Sequence, residues 1–189
     1  MDYISLIISL AVLTISGLTF WMTRLKNGKL KMTRPTMLYF GPEVETNLKK
    51  VFIKTLLYST SDKGNYVQYM YVRLQRGESV QNFNIWTYDS QNHAKGSGLF
   101  VSKNGIACNH DFLMPKDGTH YNFLAGDYLV QVFVESVDGK PKKVFEQGLT
   151  ITKDQAEAMK SKNLGLYFDW APSSQQYVSR VDVAPRTKM

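Results

Sequence analysis

A thiol and an imidazole stand two residues apart in the run Cys108-Asn109-His110-Asp111. In a β-strand, side chains at i and i+2 share a face, so Cys108 and His110 would project together. A thiolate beside an imidazole is the chemistry of a cysteine nucleophile or of half a metal site. Ile106 and Phe112 fall on the same face, and that company suits a buried thiol and a hydrogen-bonded core histidine. A zinc site would need two further ligands, and neither His93 nor His120 stands in a recognised spacing. The cluster is read as structural, with no catalytic residue, metal ligand or cofactor assigned.

Other candidates are weaker still. Asp89, Asp111, Asp117 and Asp127 could supply a carboxylate pair, but most are expected at turns, where Asp serves local hydrogen bonding. Gly96-x-Gly98 lacks the third glycine and the strand-turn-helix setting of a phosphate loop. Trp86, Tyr71 and Tyr88, beside Arg73, Asn82 and Asn84, are expected to form an aromatic, amide-rich sheet face suited to packing against another protein or stacking on a sugar.

The elements that would position these groups follow from patterning. The first is an uncharged run from Tyr3 to Trp21. At ~1.5 Å per residue it spans roughly 28 Å as a helix, close to the hydrocarbon thickness of a bilayer. Tyr3 and Trp21 mark its ends, where aromatic side chains favour the headgroup boundary. A cleaved signal peptide would want positive charge before the run and small residues after it. Here Asp2 precedes it and Phe20-Trp21-Met22 ends it. A buried core helix is disfavoured because the run is apolar on every face and lies outside the domain. The expected division is an anchor over residues 1–22, a basic juxtamembrane linker over 23–35, and a domain over 36–185.

Charge separates the same way. The chain carries a net charge of +7, and Arg24, Lys26, Lys29, Lys31 and Arg34 supply most of it, leaving the domain near neutral. A nucleic-acid-binding domain would carry its basic excess on its own surface, so nucleic acid is not an expected partner. Basic residues beside an anchor favour anionic lipid headgroups and a cytoplasmic flank. The expected topology is therefore a single pass with the domain in the cytoplasm, the alternative being a domain outside. The lone cysteine, Cys108, forbids an intrachain disulfide.

Beyond Pro35, turn signals recur and the runs between them alternate. Met70, Val72 and Leu74 alternate with Tyr71 and Arg73. A further strand is expected from Val80 to Tyr88. Asn104-Gly105 suggests a type I′ hairpin between Leu99–Ser102 and Ile106–Asn109. Tyr128, Val130, Val132 and Val134 form another period of two, and Asp138-Gly139 turns the chain into Lys142–Ile151. Thr152 and Gln155 fit a capping box for a short helix over Lys153–Lys162, and two final strands are expected in Leu164–Trp170 and Gln176–Val183. Eight to ten strands without alternating helices favour an antiparallel, immunoglobulin-like β-sandwich.

Two resemblances bear on this. Phe123, Gly126, Tyr128, Val130 and Val132 resemble the Gly-x-Tyr-x-Val-x-Val strand near the end of immunoglobulin-like domains. The run from Met70 to Trp86, with Gly96-Ser97-Gly98-Leu99-Phe100-Val101 beyond it, resembles a family of bacterial single-anchor proteins to which no activity is assigned. That resemblance implies membrane attachment and transfers no functional residue. The expected function is a noncatalytic, membrane-anchored module for protein–protein interaction or assembly scaffolding. The alternatives are a hydrolase or metal-dependent enzyme using the Cys108 and His110 neighbourhood, and an outward-facing glycan-binding envelope protein.

Overall fold

The computed structural model describes residues 3–25, 28–43, 46, 48–88, 98–115, 121–137 and 139–183. It opens with helix α1 (Tyr3–Phe20), which continues through a π-helical turn, Trp21–Leu25. Together these make a segment of 23 residues, long and apolar enough to cross a membrane, with none of it buried against the other described residues. Its hydroxyls bond back to their own helix: Ser9 to the Ser5 carbonyl, Thr14 to Leu10 and Thr19 to Ile15, each at 2.8 Å. Polar side chains of this kind spend their donors inside the helix and ask nothing of the surroundings.

The body is mainly β. Its strands are β1 (Leu30–Met32), β2 (Met37–Pro42), β3 (Lys49–Ser59), β4 (Asn65–Arg76), β5 (Ser79–Phe83) and β6 (Ile85–Tyr88). They continue with β7 (Leu99–Val101), β8 (Ile106–Leu113), β9 (Gly126–Ser136), β10 (Lys142–Ile151), β11 (Gly165–Ala171) and β12 (Gln176–Asp182). The short helix α2 (Lys153–Ser161) lies between β10 and β11, and the Thr152–Gln155 capping box is present at its start.

These strands form two antiparallel sheets. The first runs β12-β11-β2-β3-β8-β6, with β1 also on β3; the second runs β10-β9-β4-β5, with β7 also on β4. Alternation decides which residues fill the space between them. Val67, Met70, Val72 and Leu74 of β4 face Tyr128, Val130, Val132 and Val134 of β9 on one inner surface, and all eight are buried. Phe40, Val51, Ile53, Phe112, Leu166 and Phe168 supply the opposing surface. Burying each such side chain contributes about 1.5–3 kcal/mol.

Three departures from the local pattern have physical causes. The stretch from Val80 to Tyr88 is two strands in different sheets: β5 pairs with β4, whereas β6 pairs with β8. The crossing falls at exposed Asn84 and resets the alternation, so Trp86 turns inward opposite Phe112. The Asn104-Gly105 turn is not a hairpin, because β7 belongs to the second sheet and β8 to the first. Gly105 has φ +77° but Asn104 does not share the positive φ that a type I′ turn requires at both positions. Finally, Leu30–Met32, expected in a linker, pairs with β3 as β1.

Glycines shape the outer side of the first sheet. The Tyr39 ring lies across Gly41 and Gly165, and a Cβ on Gly165 would meet it at 2.0 Å. Aromatic cover of a cross-strand glycine pair leaves no room for any other residue there. The Tyr39 hydroxyl then donates to the Pro42 carbonyl at 3.0 Å.

The N-terminal helical segment joins the body at one end. The Lys29 amide donates to Thr60 Oγ1 at 2.8 Å, and the Thr60 amide donates back to the Lys29 carbonyl at 3.0 Å. The turn from β3 to β4 is therefore the base of the sandwich. The β4–β5 turn and the segment leading into β9 lie at the far end.

Candidate functional site

The expected aromatic face separates into two places. Trp86 is 1 % exposed and belongs to the core, which corrects its placement on a surface. Its indole Nε1 donates to His110 Nδ1 at 3.1 Å. Tyr88 is half-buried beside it, ring centroids 5.0 Å apart, with its hydroxyl donating to the Gly98 carbonyl at 2.7 Å.

Tyr71 and Arg73 do stay together, on the outer side of the second sheet. Tyr71 stacks on Phe133 of β9 at 4.9 Å and an interplanar angle of 4°. The Arg73 guanidinium lies 4.9 Å from the same Phe133 ring, and its Nε donates to Asn82 Oδ1 at 3.2 Å. Cross-strand register places this ladder: Tyr71 is opposite Phe133, and Arg73 is opposite Gln131 and Asn82. Phe133 was missed from sequence because its ring sits between inward valines in a run read for its buried face. Val80, opposite Gln75, continues the face and is exposed.

At the far end the same surface dips into an open groove of about 370 Å³. Leu74, Arg76, Ser79, Val80, Gln81, Tyr121, Asn122, Leu124 and Tyr128 line it. Its floor is held by Tyr128, whose hydroxyl donates to the Leu124 carbonyl at 2.8 Å and accepts from the Leu124 amide at 3.0 Å. Burial pushes the Tyr121 and Tyr128 phenols above their ordinary range, so both stand as neutral hydrogen-bonding groups. Arg76, with Nη1 3.4 Å from the Ala125 carbonyl, is the cation of the groove.

Cys108 and His110 share an inner face with Phe112, as the spacing requires, and both are buried. Trp is a donor only, so the bond from Trp86 takes the lone pair of His110 Nδ1 and leaves the proton of the neutral ring on Nε2. Among the described residues, no group of three His, Cys, Asp or Glu side chains is placed to hold a metal ion. His93 and His120 lie outside the described residues, as do Asp89, Asp117 and Gly96.

Two of the four candidate acids lie in strands. Asp127 of β9 accepts from Thr150 Oγ1 at 2.6 Å. Asp111 of β8 accepts from Lys50 Nζ at 2.9 Å, and Lys50 is also ion-paired with Glu43. Lys50 and Glu43 are both buried. Burial draws the Lys50 ammonium down, but Asp111 and Glu43 outweigh it and hold the group above its ordinary value. Two carboxylates thus converge, as paired acids would, yet both are bridged by one lysine. Alternation in β3 buries Val51, Ile53, Thr55 and Leu57 and leaves Lys50 out of that phase, so nothing in the sequence marked it for burial.

Among the basic residues flanking the helix, Arg24 lies in its final turn, and Lys29 and Lys31 are exposed. Arg34 instead stacks on Trp170 with its guanidinium 4.0 Å from the ring centroid. Lys26 lies outside the described residues.

Comparison with protein-family models, with curated proteins and with solved structures finds no match for this chain.

Proposed function

We propose that this chain is a noncatalytic interaction module, an immunoglobulin-like sandwich held at a membrane by α1 with its body in the cytoplasm. The observation that carries the reading is the half-buried ladder of Tyr71, Phe133 and Arg73 on the outer side of the second sheet. Stacked tyrosine and arginine are side chains that contribute most at protein interfaces, because each presents a large rigid surface with a polar tip. Here they are fixed in advance by stacking and by Asn82, which lowers the entropy lost on binding. Val80 joins the ladder to the groove around Arg76, so the available surface extends to the end farthest from the anchor.

Strand order supports the immunoglobulin-like assignment. The sequence β2-β3-β8-β6 against β10-β9-β4-β5 follows the A-B-E-D and G-F-C-C′ arrangement. The Tyr128–Leu124 bonds have the geometry of the tyrosine corner at the start of strand F in such domains. The helix, Arg24, Lys29 and Lys31 support anchoring with a cytoplasmic flank. This reading agrees with the resemblance to bacterial single-anchor proteins. Tethering raises the effective concentration at which a membrane-associated partner meets the face.

The test uses a photoreactive residue in place of Gln131 in the full chain, irradiated in native membranes. One dominant protein adduct is expected, and Arg73→Glu should reduce its yield about tenfold or more. No adduct, or an adduct indifferent to Arg73→Glu, would overturn the proposal.

A further inference from the structure

We infer that the base of the sandwich is a lipid-contacting surface, seated on the anionic headgroups of the bilayer that α1 enters. The inference rests on the anchoring proposed above and adds a contact made by the folded body itself.

Chain length leaves little choice. The helix ends at Leu25, and Lys29 is already fixed to Thr60 by two backbone-directed hydrogen bonds. Four residue steps reach at most about 14 Å, so the base stays within the headgroup layer or directly above it. Whatever that end exposes must meet lipid.

It exposes apolar groups. Of the large apolar side chains exposed on the described body, Val80 and Leu124 border the far groove, and Val178 and Val183 lie on β12 or just after it. The remaining three, Tyr66 (64 % exposed), Phe100 (47 %) and Val137 (62 %), gather at the base. Tyr66 and Phe100 are opposite each other in β4 and β7, with ring centroids 4.8 Å apart. The Val137 amide donates to the Tyr66 carbonyl at 3.2 Å. The Phe100 ring also lies over Gly64, where φ is +72° and a Cβ would come within 2.6 Å of it. The turn is built to hold that ring outward. A solvated turn would not normally carry such a cluster, whereas aromatic rings and a valine beside an anchor are at home in the interfacial layer.

Charge at this end has the matching sign. Among the described residues, Lys63, Lys103 and Lys140 stand in the base turns with Asp62, and Lys29 and Lys31 lead into them. Asp62 is paired with Lys103 at 3.0 Å. The excess is basic, the sign that draws a surface to anionic headgroups.

The test places p-benzoylphenylalanine singly at Phe100, at Trp21 or at Leu124 in the full chain. Each protein is inserted into phosphatidylcholine vesicles with or without phosphatidylserine, irradiated, and examined for lipid adducts by mass spectrometry. Trp21 should give adducts in both membranes, reporting insertion of the anchor. Phe100 should also give them, with a yield about fivefold higher when phosphatidylserine is present, and Leu124 at the far end should give none. Adducts at Trp21 without any at Phe100, or equal yields at Phe100 and Leu124, would overturn the inference while leaving the anchor intact. Absence of adducts at Trp21 and Phe100 alike would overturn the anchor and this inference with it.

Discussion

The indole Nε1 of Trp86 donates to Nδ1 of His110 across 3.1 Å inside the core, joining the edge strand β6 to β8. A buried acceptor that loses its donor bears the full cost of desolvation, about 1–3 kcal/mol. Trp86→Phe should therefore lower the denaturant midpoint of the detergent-solubilised chain by a corresponding amount. His110→Leu added to Trp86→Phe should cost less than the two single changes combined, because both polar partners have then gone. Strictly additive losses would show that the bond contributes nothing.

Lys50 makes a sharper case. Its ammonium faces Glu43 and Asp111 in a buried setting. Lys50→Met leaves the buried Glu43 and the half-buried Asp111 uncompensated and should destabilise the chain by about 3–5 kcal/mol. Adding Glu43→Gln and Asp111→Asn should restore much of that loss, since a buried ion network contributes little net stability over neutral groups. Equilibrium unfolding of the three proteins distinguishes this from simple loss of packing, where the added changes would deepen the defect.

Alkaline conditions probe the same region and the far end together. Burial raises the phenols of Tyr39, Tyr121 and Tyr177 above the ordinary 10.0, and the carboxylates raise Lys50 above 10.5. Each group holds its proton more tightly folded than unfolded. Their contribution is therefore complete below pH 10 and is lost as pH rises beyond it. Stability should be level in this respect through neutral pH and fall above about 10, with tyrosinate absorbance rising together with unfolding. Tyrosines that ionise smoothly near 10 in a still-folded chain would contradict their burial.

Much of the fold was legible because its signals are local. Met70, Val72 and Leu74 in β4, and Tyr128 to Val134 in β9, announce their buried faces by a period of two, and Thr152 with Gln155 announces α2. What sequence left hidden depends on distant partners. Nothing within Val80–Tyr88 marks Asn84 as the point where the chain changes sheets, yet that crossing sends Trp86 inward and away from Tyr71. Asn104-Gly105 marks a turn but not which sheets it joins. Lys31 masks the strand character of β1 between Leu30 and Met32. Of the candidate face, Tyr71 and Arg73 were readable as outward neighbours of inward residues; Phe133, which unites them, required the register of β4 against β9. The pairing of Lys50 with Asp111 likewise crosses from β3 to β8.

The position of the membrane governs the rest, and protease access in intact cells with a tag at each end tests it most directly. External protease should remove the N-terminal tag alone, leaving the C-terminal tag and the sandwich protected and sedimenting with membranes. Loss of the C-terminal tag to external protease would put the body on the opposite side, and recovery of the untreated chain in the soluble fraction would remove the anchor altogether.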